Sequence, residues 1–236
     1  MRNHLAGKLK KVQAYSSNMA VTFLAVENKY GILRPMIFNK ALFNRYDQPY
    51  KMDGFLTLKI VLFIDATKDI VKVVFDKDHR SPSLYRIIKY LENEEIRLAF
   101  RESFSSWLGT DSYSTLKNEF DRKYKVIKDS FQSLCGLEVS EKLKDVRNKI
   151  SAHIEMRKDG EGYRILSIGD LELEWNSLEG FLQLVKPIVF DTAYIVGNET
   201  YDHDSFSESN LKTSGAFWDL DVKDISSENR NLAKGT

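Results

Sequence analysis

Arg147, Asn148 and His153 stand close together in the string Arg147-Asn148-Lys149-Ile150-Ser151-Ala152-His153. Arginine carries a planar fork of donors that fits phosphate oxygens two at a time. Histidine takes and gives protons near neutral pH. The amide between them can orient a phosphate or hold the imidazole ring. Together these residues are a minimal kit for handling a phosphodiester without a metal.

The element that must position the string is a helix. Ser140 is a good cap for it, and Leu143, Val146, Ile150 and Ile154 give it an apolar stripe. Six residues along an ideal α-helix turn about 600°, which leaves Arg147 and His153 roughly 120° apart in azimuth and about 9 Å apart in rise. The two do not share a face, although the length of the arginine covers part of the gap. The same side chains also have a plain structural use. His153 can pack beside Ile150 and Ile154, and Arg147 can pair with an acid on a neighbouring helix. In a chain with twelve arginines and four histidines the spacing alone is weak.

The rest of the chain supplies the frame. Four prolines and twelve glycines in 236 residues favour long helices over many-stranded sheets. Apolar spacing, with Val12, Met19, Phe23 and Val26 in register, predicts a first helix over 9–30, ended by Gly31 and Pro35. A shorter helix follows over 35–46, and 47–54 reads as a turn. Residues 55–75 are the clearest helix. Ile60, Ile64, Val71 and Val74 fill one side, and Asp65, Lys68, Asp69, Lys72 and Asp76 recur on the other. A charged loop over 76–80 precedes Ser81-Pro82, read as a capping serine with proline at the first helical position. One helix or two then cover 84–107. Further helices are predicted over 116–134 and 178–195, the second kinked at Pro187, and 163–173 has room for a short hairpin. The sum is an all-α chain, a bundle of six to eight helices. A helical domain spans 1–197, and a polar C-terminal tail, loosely docked through Phe217, Trp218 and Leu220, spans 198–236.

In this context the string closely resembles the Arg-x(4–6)-His signature of HEPN domains. The long N-terminal helices and the Ser81-Pro82-Ser83-Leu84 helix start are similar to the abortive-infection U-type branch of that superfamily. The motif covers seven residues, and the looser likeness in helix order covers about 8–197. The resemblance implies a helical bundle of the kind found in bacterial toxin–antitoxin and phage-defence systems. It implies a metal-independent endoribonuclease that uses the 2′-hydroxyl of RNA as nucleophile, leaving a 2′,3′-cyclic phosphate and a 5′-hydroxyl. Arg147 and His153 would be the active pair and Asn148 a polar helper. It also implies a homodimer in which motif helices of two chains line one cleft, and allows an antitoxin protein as partner. Some HEPN toxins carry a modified tyrosine two places after the histidine. Glu155 stands there in this chain, so regulation by that route is not expected. The alternative is a non-catalytic HEPN-like module that binds RNA, nucleotide or a protein. A third reading is a purely helical interaction protein.

Composition bounds these readings. With 35 basic and 34 acidic residues, the chain is not a nucleic-acid binder coated in positive charge, although a local basic cleft is compatible. Residues 1–30 carry net +4 and residues 198–236 net −4, either chance plus solvated ends or a basic end for RNA and an acidic tail that occupies the site. Cys135 is the one cysteine, so no intrachain disulfide forms. No secretion signal or membrane span is evident; the best apolar stretch, 60–75, is cut by Asp65, Lys68, Asp69 and Lys72. A soluble cytoplasmic protein is expected. No metal or organic cofactor is indicated. Asp65 and Asp69 share a helix face as paired carboxylates would, but interleaved lysines favour a solvated ion-paired face. Asp202-His203-Asp204, His4 and His79 lack partners at metal spacing. Cys135 reads as a small buried residue rather than a nucleophile, and Gly160-Glu161-Gly162 as a turn rather than a phosphate loop.

Overall fold

The structure, a computed structural model, describes residues 2–107, 113–151, 156–160, 162–165 and 167–221. It is an all-α bundle with one small hairpin. The helices are α1 (Arg2–Phe38), α2 (Lys40–Arg45), α3 (Pro49–Phe75), α4 (Leu84–Leu91), α5 (Glu94–Ser105), α6 (Tyr113–Cys135), α7 (Glu138–Asp145), α8 (Ser177–Gly197) and α9 (His203–Trp218). A π-turn, Val146–Ser151, continues α7. The strands β1 (Met156–Asp159) and β2 (Gly162–Ile165) pair antiparallel, with Met156 opposite Ile165 and Asp159 opposite Gly162. Among the described residues no helix is long and apolar enough to cross a membrane.

α1 is the spine. Val12, Ser16, Met19, Phe23, Val26, Tyr30 and Leu33 are all buried and recur alternately at four and three residues, the spacing of a seam that faces partner helices throughout its length. The partners are α3, α8 and, at the C-terminal end, α9. Ion pairs fix the phase of these packings. Glu27 meets Lys186 of α8 at 3.1 Å, Arg34 meets Glu179 of α8 at 3.0 Å, and Lys29 reaches both Asp65 and Asp69 of α3 at 2.5 Å.

Several boundaries differ from those the spacing predicts, each for a local reason. α1 runs through Gly31 and Pro35 to Phe38. Proline has no N–H to give the Gly31 carbonyl, four residues back, and Ser214 of α9 donates its hydroxyl to that oxygen at 2.7 Å. Trp218 adds an indole N–H to the next carbonyl, Ile32, at 2.8 Å. The expected loose tail is therefore a docked helix as far as Trp218, which is buried. The segment 47–54 is mostly helix, because Pro49 sits at the first position of α3, where its missing N–H costs nothing. Ser83, not Ser81, caps α4, accepting from the Arg86 N–H. Ser140 does not cap α7. It lies buried within it and donates to the Leu134 carbonyl at 2.5 Å, tying α7 to the end of α6. The hairpin falls at 156–165, earlier than 163–173, its turn at Gly160 with φ +60°. A short 3₁₀ turn, Ile168–Leu171, occupies the later segment.

Candidate functional site

The string sits where helical winding changes. After α7 the chain closes i→i+5 bonds over Val146–Ser151, and this π-turn packs against α3 and α7. Single π-turns inside helices are rare and recur at functional sites. A wider turn alters the phase of the residues it winds, so the azimuth expected for an ideal α-helix does not apply over Arg147 to Ser151. Val146 is buried and anchors the turn, Arg147 is half-buried and Asn148 exposed. His153, and Glu155 after it, lie outside the described residues.

Arg147 and Ser151 form one wall of a cleft of about 520 Å³. The second half of α3 forms the opposite wall through Lys68, Asp69, Lys72 and Asp76, and the loop 76–83 closes the end with Asp78, Arg80, Ser81 and Pro82. The loop owes its shape to its acids. Asp76 accepts from the Asp78 N–H at 3.0 Å, and Asp78 accepts from the Arg80 N–H at 2.9 Å. Ser83 donates to the Asp76 carbonyl at 2.6 Å, and Tyr15 of α1 donates to the His79 carbonyl at 2.6 Å. The Arg80 side chain and backbone N–H hold the Asp78 carboxyl down to about 2.

The charges in this cleft are not equivalent. Asp69 is tied to Lys29, Lys68 to Asp65, and Arg80 to Asp78. The Arg147 side chain makes no hydrogen bond or ion pair with any of the described residues, and neither does the Lys72 side chain. Arg147 therefore does not pair with an acid of a neighbouring helix, although Asp76 and Asp78 line the same cleft. A guanidinium on a half-buried wall without a carboxylate is a binding group for an anion. Asn148 lines a second cleft that shares Arg147, Asp76 and Asp78 with the first.

The sequence had marked Asp65, Lys68, Asp69 and Lys72 as a solvated ion-paired face. The pairing holds for Lys68, but Lys29 of α1 is the cation that joins the two aspartates. Lys72 and Arg80 as cleft residues were missed. Their signal was present as a polar stripe on α3 running directly into the charged loop. Cys135 is half-buried, and burial pushes its thiol up, which suits an inert residue. Asp202 caps α9 by accepting from the Ser205 N–H at 3.1 Å. Among the described residues no three His, Cys, Asp or Glu side chains converge as a metal site requires.

Two of the three comparisons with known proteins are empty: no curated protein and no solved structure matches the chain. A family model does match. It is the AbiU2 model of the HEPN domains, and it covers residues 36–217, more than three-quarters of the chain. The match takes in α3, the loop, the π-turn and nearly all of α9. The chain belongs to the AbiU2 family of HEPN domains, the abortive-infection branch.

Proposed function

We propose that this protein is a metal-independent endoribonuclease acting as a toxin or abortive-infection effector. The observation that carries the reading is Arg147: a guanidinium on the wall of a polar cleft, unpaired among the described residues, on a π-turn. The family supports it, and so does the neighbouring Lys72, a second cation along the cleft without a carboxylate partner among the described residues.

In this mechanism the 2′-oxygen of a nucleotide attacks its own phosphorus. The bond from phosphorus to the 5′-oxygen breaks, leaving a 2′,3′-cyclic phosphate and a 5′-hydroxyl. His153 moves a proton at the 2′- or the 5′-oxygen. Arg147 stabilises the charge that builds on the non-bridging oxygens. Asn148 orients the phosphate or the imidazole, and Lys72 holds a neighbouring phosphate. The active form is a homodimer whose two motif helices line one cleft. The exposed apolar side chains on the first half of α3, among them Tyr50, Leu56, Ile60 and Val61, offer a surface for a second copy. Its place of action is the cytoplasm, with RNA as substrate and an antitoxin protein as a further partner.

The test is induced expression in a bacterial host, with growth and total RNA followed for wild type, Arg147→Ala and His153→Ala. Arrest with fragmented RNA in the wild type, and neither in the variants, is expected. Identical behaviour of all three would sink the nuclease reading and favour a binding module.

A further inference from the structure

Arg147 borders two clefts, and they differ in character. Bordering the guanidinium, a second cleft of about 530 Å³ opens between the end of α3 and helices α4, α6 and α7. Three aromatic rings form part of its wall, beside Asp76 and Asp78, which it shares with the first cleft. Phe75, Tyr85 and Phe131 are all half-buried, and the rings of Phe75 and Phe131 lie 6.5 Å apart, inclined at 44°. Asn148 and Lys77 stand among the residues that line it.

We propose that this second cleft is a nucleobase subsite, holding the base of a nucleotide adjacent to the phosphate bound by Arg147. The inference rests on the RNA reading above and adds to it where the base goes. Single-stranded RNA is gripped by stacking unpaired bases on aromatic planes next to cations that follow the backbone. Here the two clefts share Arg147 together with Asp76 and Asp78, and Arg147 is the cation of the three, so a chain crossing at its guanidinium would have phosphate on one side and a base on the other. The volume is within the range of small-molecule sites.

The rings are not equally available. Phe75 carries the Lys144 ammonium at 4.3 Å over its ring. The Tyr85 ring is approached by Lys77 at 5.6 Å and Lys89 at 6.0 Å, the outer limit of a cation–π contact. Both lysines are exposed, and Lys89 is ion-paired with Glu92 at 2.8 Å. A base stacking on Tyr85 displaces Lys77 from the ring and leaves its charge for a flanking phosphate, while Lys89 stays with Glu92. Tyr85 is therefore the platform. Asn148, exposed and without a hydrogen bond among the described residues, offers a donor and an acceptor side by side. That pair matches the N6 and N7 edge of adenine, so adenine is favoured.

The experiment is anisotropy titration of the full chain with a short labelled RNA, 2′-O-methylated throughout so that it cannot be cleaved. Companion RNAs each have one base replaced by an abasic site. For the wild type, one abasic position weakens binding about five- to hundredfold, the range of one stacked base. Tyr85→Ala removes that penalty, Tyr85→Phe restores it, and Asn148→Ala keeps it while losing the preference for adenine. Equal binding whichever base is missing, or a full penalty in Tyr85→Ala, overturns the subsite. Those results leave the nuclease reading standing, since cleavage by Arg147→Ala is measured separately. A wild type that binds none of these RNAs also overturns the subsite, and cleavage of unmodified RNA decides the nuclease reading separately.

Discussion

Ser214 donates its hydroxyl to the carbonyl oxygen of Gly31 at 2.7 Å, across 183 residues of sequence. That oxygen is open because Pro35 cannot supply the helical N–H. α9 thus completes the hydrogen bonding of α1, and Trp218 secures the joint with its indole N–H on Ile32 and its ring against Tyr46 and Phe55. Ser214→Ala leaves the carbonyl unsatisfied and costs about 1 kcal/mol, a fall of about 2–4 °C in Tm for a chain of this size. Trp218→Ala removes a buried ring and costs about 3–5 kcal/mol. Thermal unfolding of the two variants checks the order. Equal melting of both with wild type would show that α9 is not part of the cooperative fold.

The Lys29 clamp sets a pH dependence. Hydrogen bonds from Lys29 and then Lys68 hold the Asp65 carboxyl below its ordinary value. A carboxyl lowered on folding stabilises the native state above its unfolded pKa, near 3.9, and gives that up as pH falls through the folded value. The contribution is therefore intact at neutral pH and is lost progressively below about pH 4. Asp65 is 37% exposed, so screening limits its size to at most about 1 kcal/mol. Asp65→Asn flattens this part of the curve, measured by denaturant titration across the acid range. Burial pulls Lys29 down, but Asp65 and Asp69 together raise it. Its share of the clamp persists below its unfolded pKa and is lost as pH rises through the raised folded value.

The π-turn is a second point of leverage. A turn closed i→i+5 holds one residue more than one closed i→i+4, so deleting Lys149 lets Val146–Ser151 close as α-helix. Helix content by circular dichroism is expected to stay near wild type, while the turn closes with one residue fewer and the aim of Arg147 relative to α3 changes. RNA cleavage is predicted to fall at least about 100-fold, as for the loss of an aimed charge-stabilising group. Unchanged cleavage would mean that the turn is incidental.

Lys72 gives a test in salt. If its ammonium meets a phosphate, Lys72→Ala weakens RNA binding whatever the base sequence and lowers the slope of log affinity against log salt by about 0.7. Lys68→Ala, whose ammonium is already paired with Asp65, changes the slope less. Equal slopes for wild type and Lys72→Ala would remove Lys72 from the RNA path.

The bundle was largely legible because buried seams such as Val12, Met19, Phe23 and Val26 repeat with the helix period. Ends were less legible, since they depend on distant partners. Pro35 reads as a stop until Ser214 is seen to meet Gly31, and Ser81 and Ser83 are equivalent as caps until the loop orients one of them. The motif was legible as residue types. Its π-winding was not, because i→i+5 closure has no apolar period of its own over a single turn. Nor does the sequence show that the Arg147 side chain lacks a partner among the described residues, whereas Arg80 has Asp78 and Arg101 has Asp121.

The most direct test is cleavage of a defined RNA by purified protein in excess chelator, with the product ends identified. Wild type should yield 2′,3′-cyclic phosphate and 5′-hydroxyl ends. Arg147→Ala should be slowed about 100- to 1,000-fold, and Arg147→Lys should recover only part, because an ammonium lacks the fork. Cleavage by Arg147→Ala at the wild-type rate, or products with 5′-phosphate ends, would contradict the assignment of Arg147 and its cleft as the catalytic site.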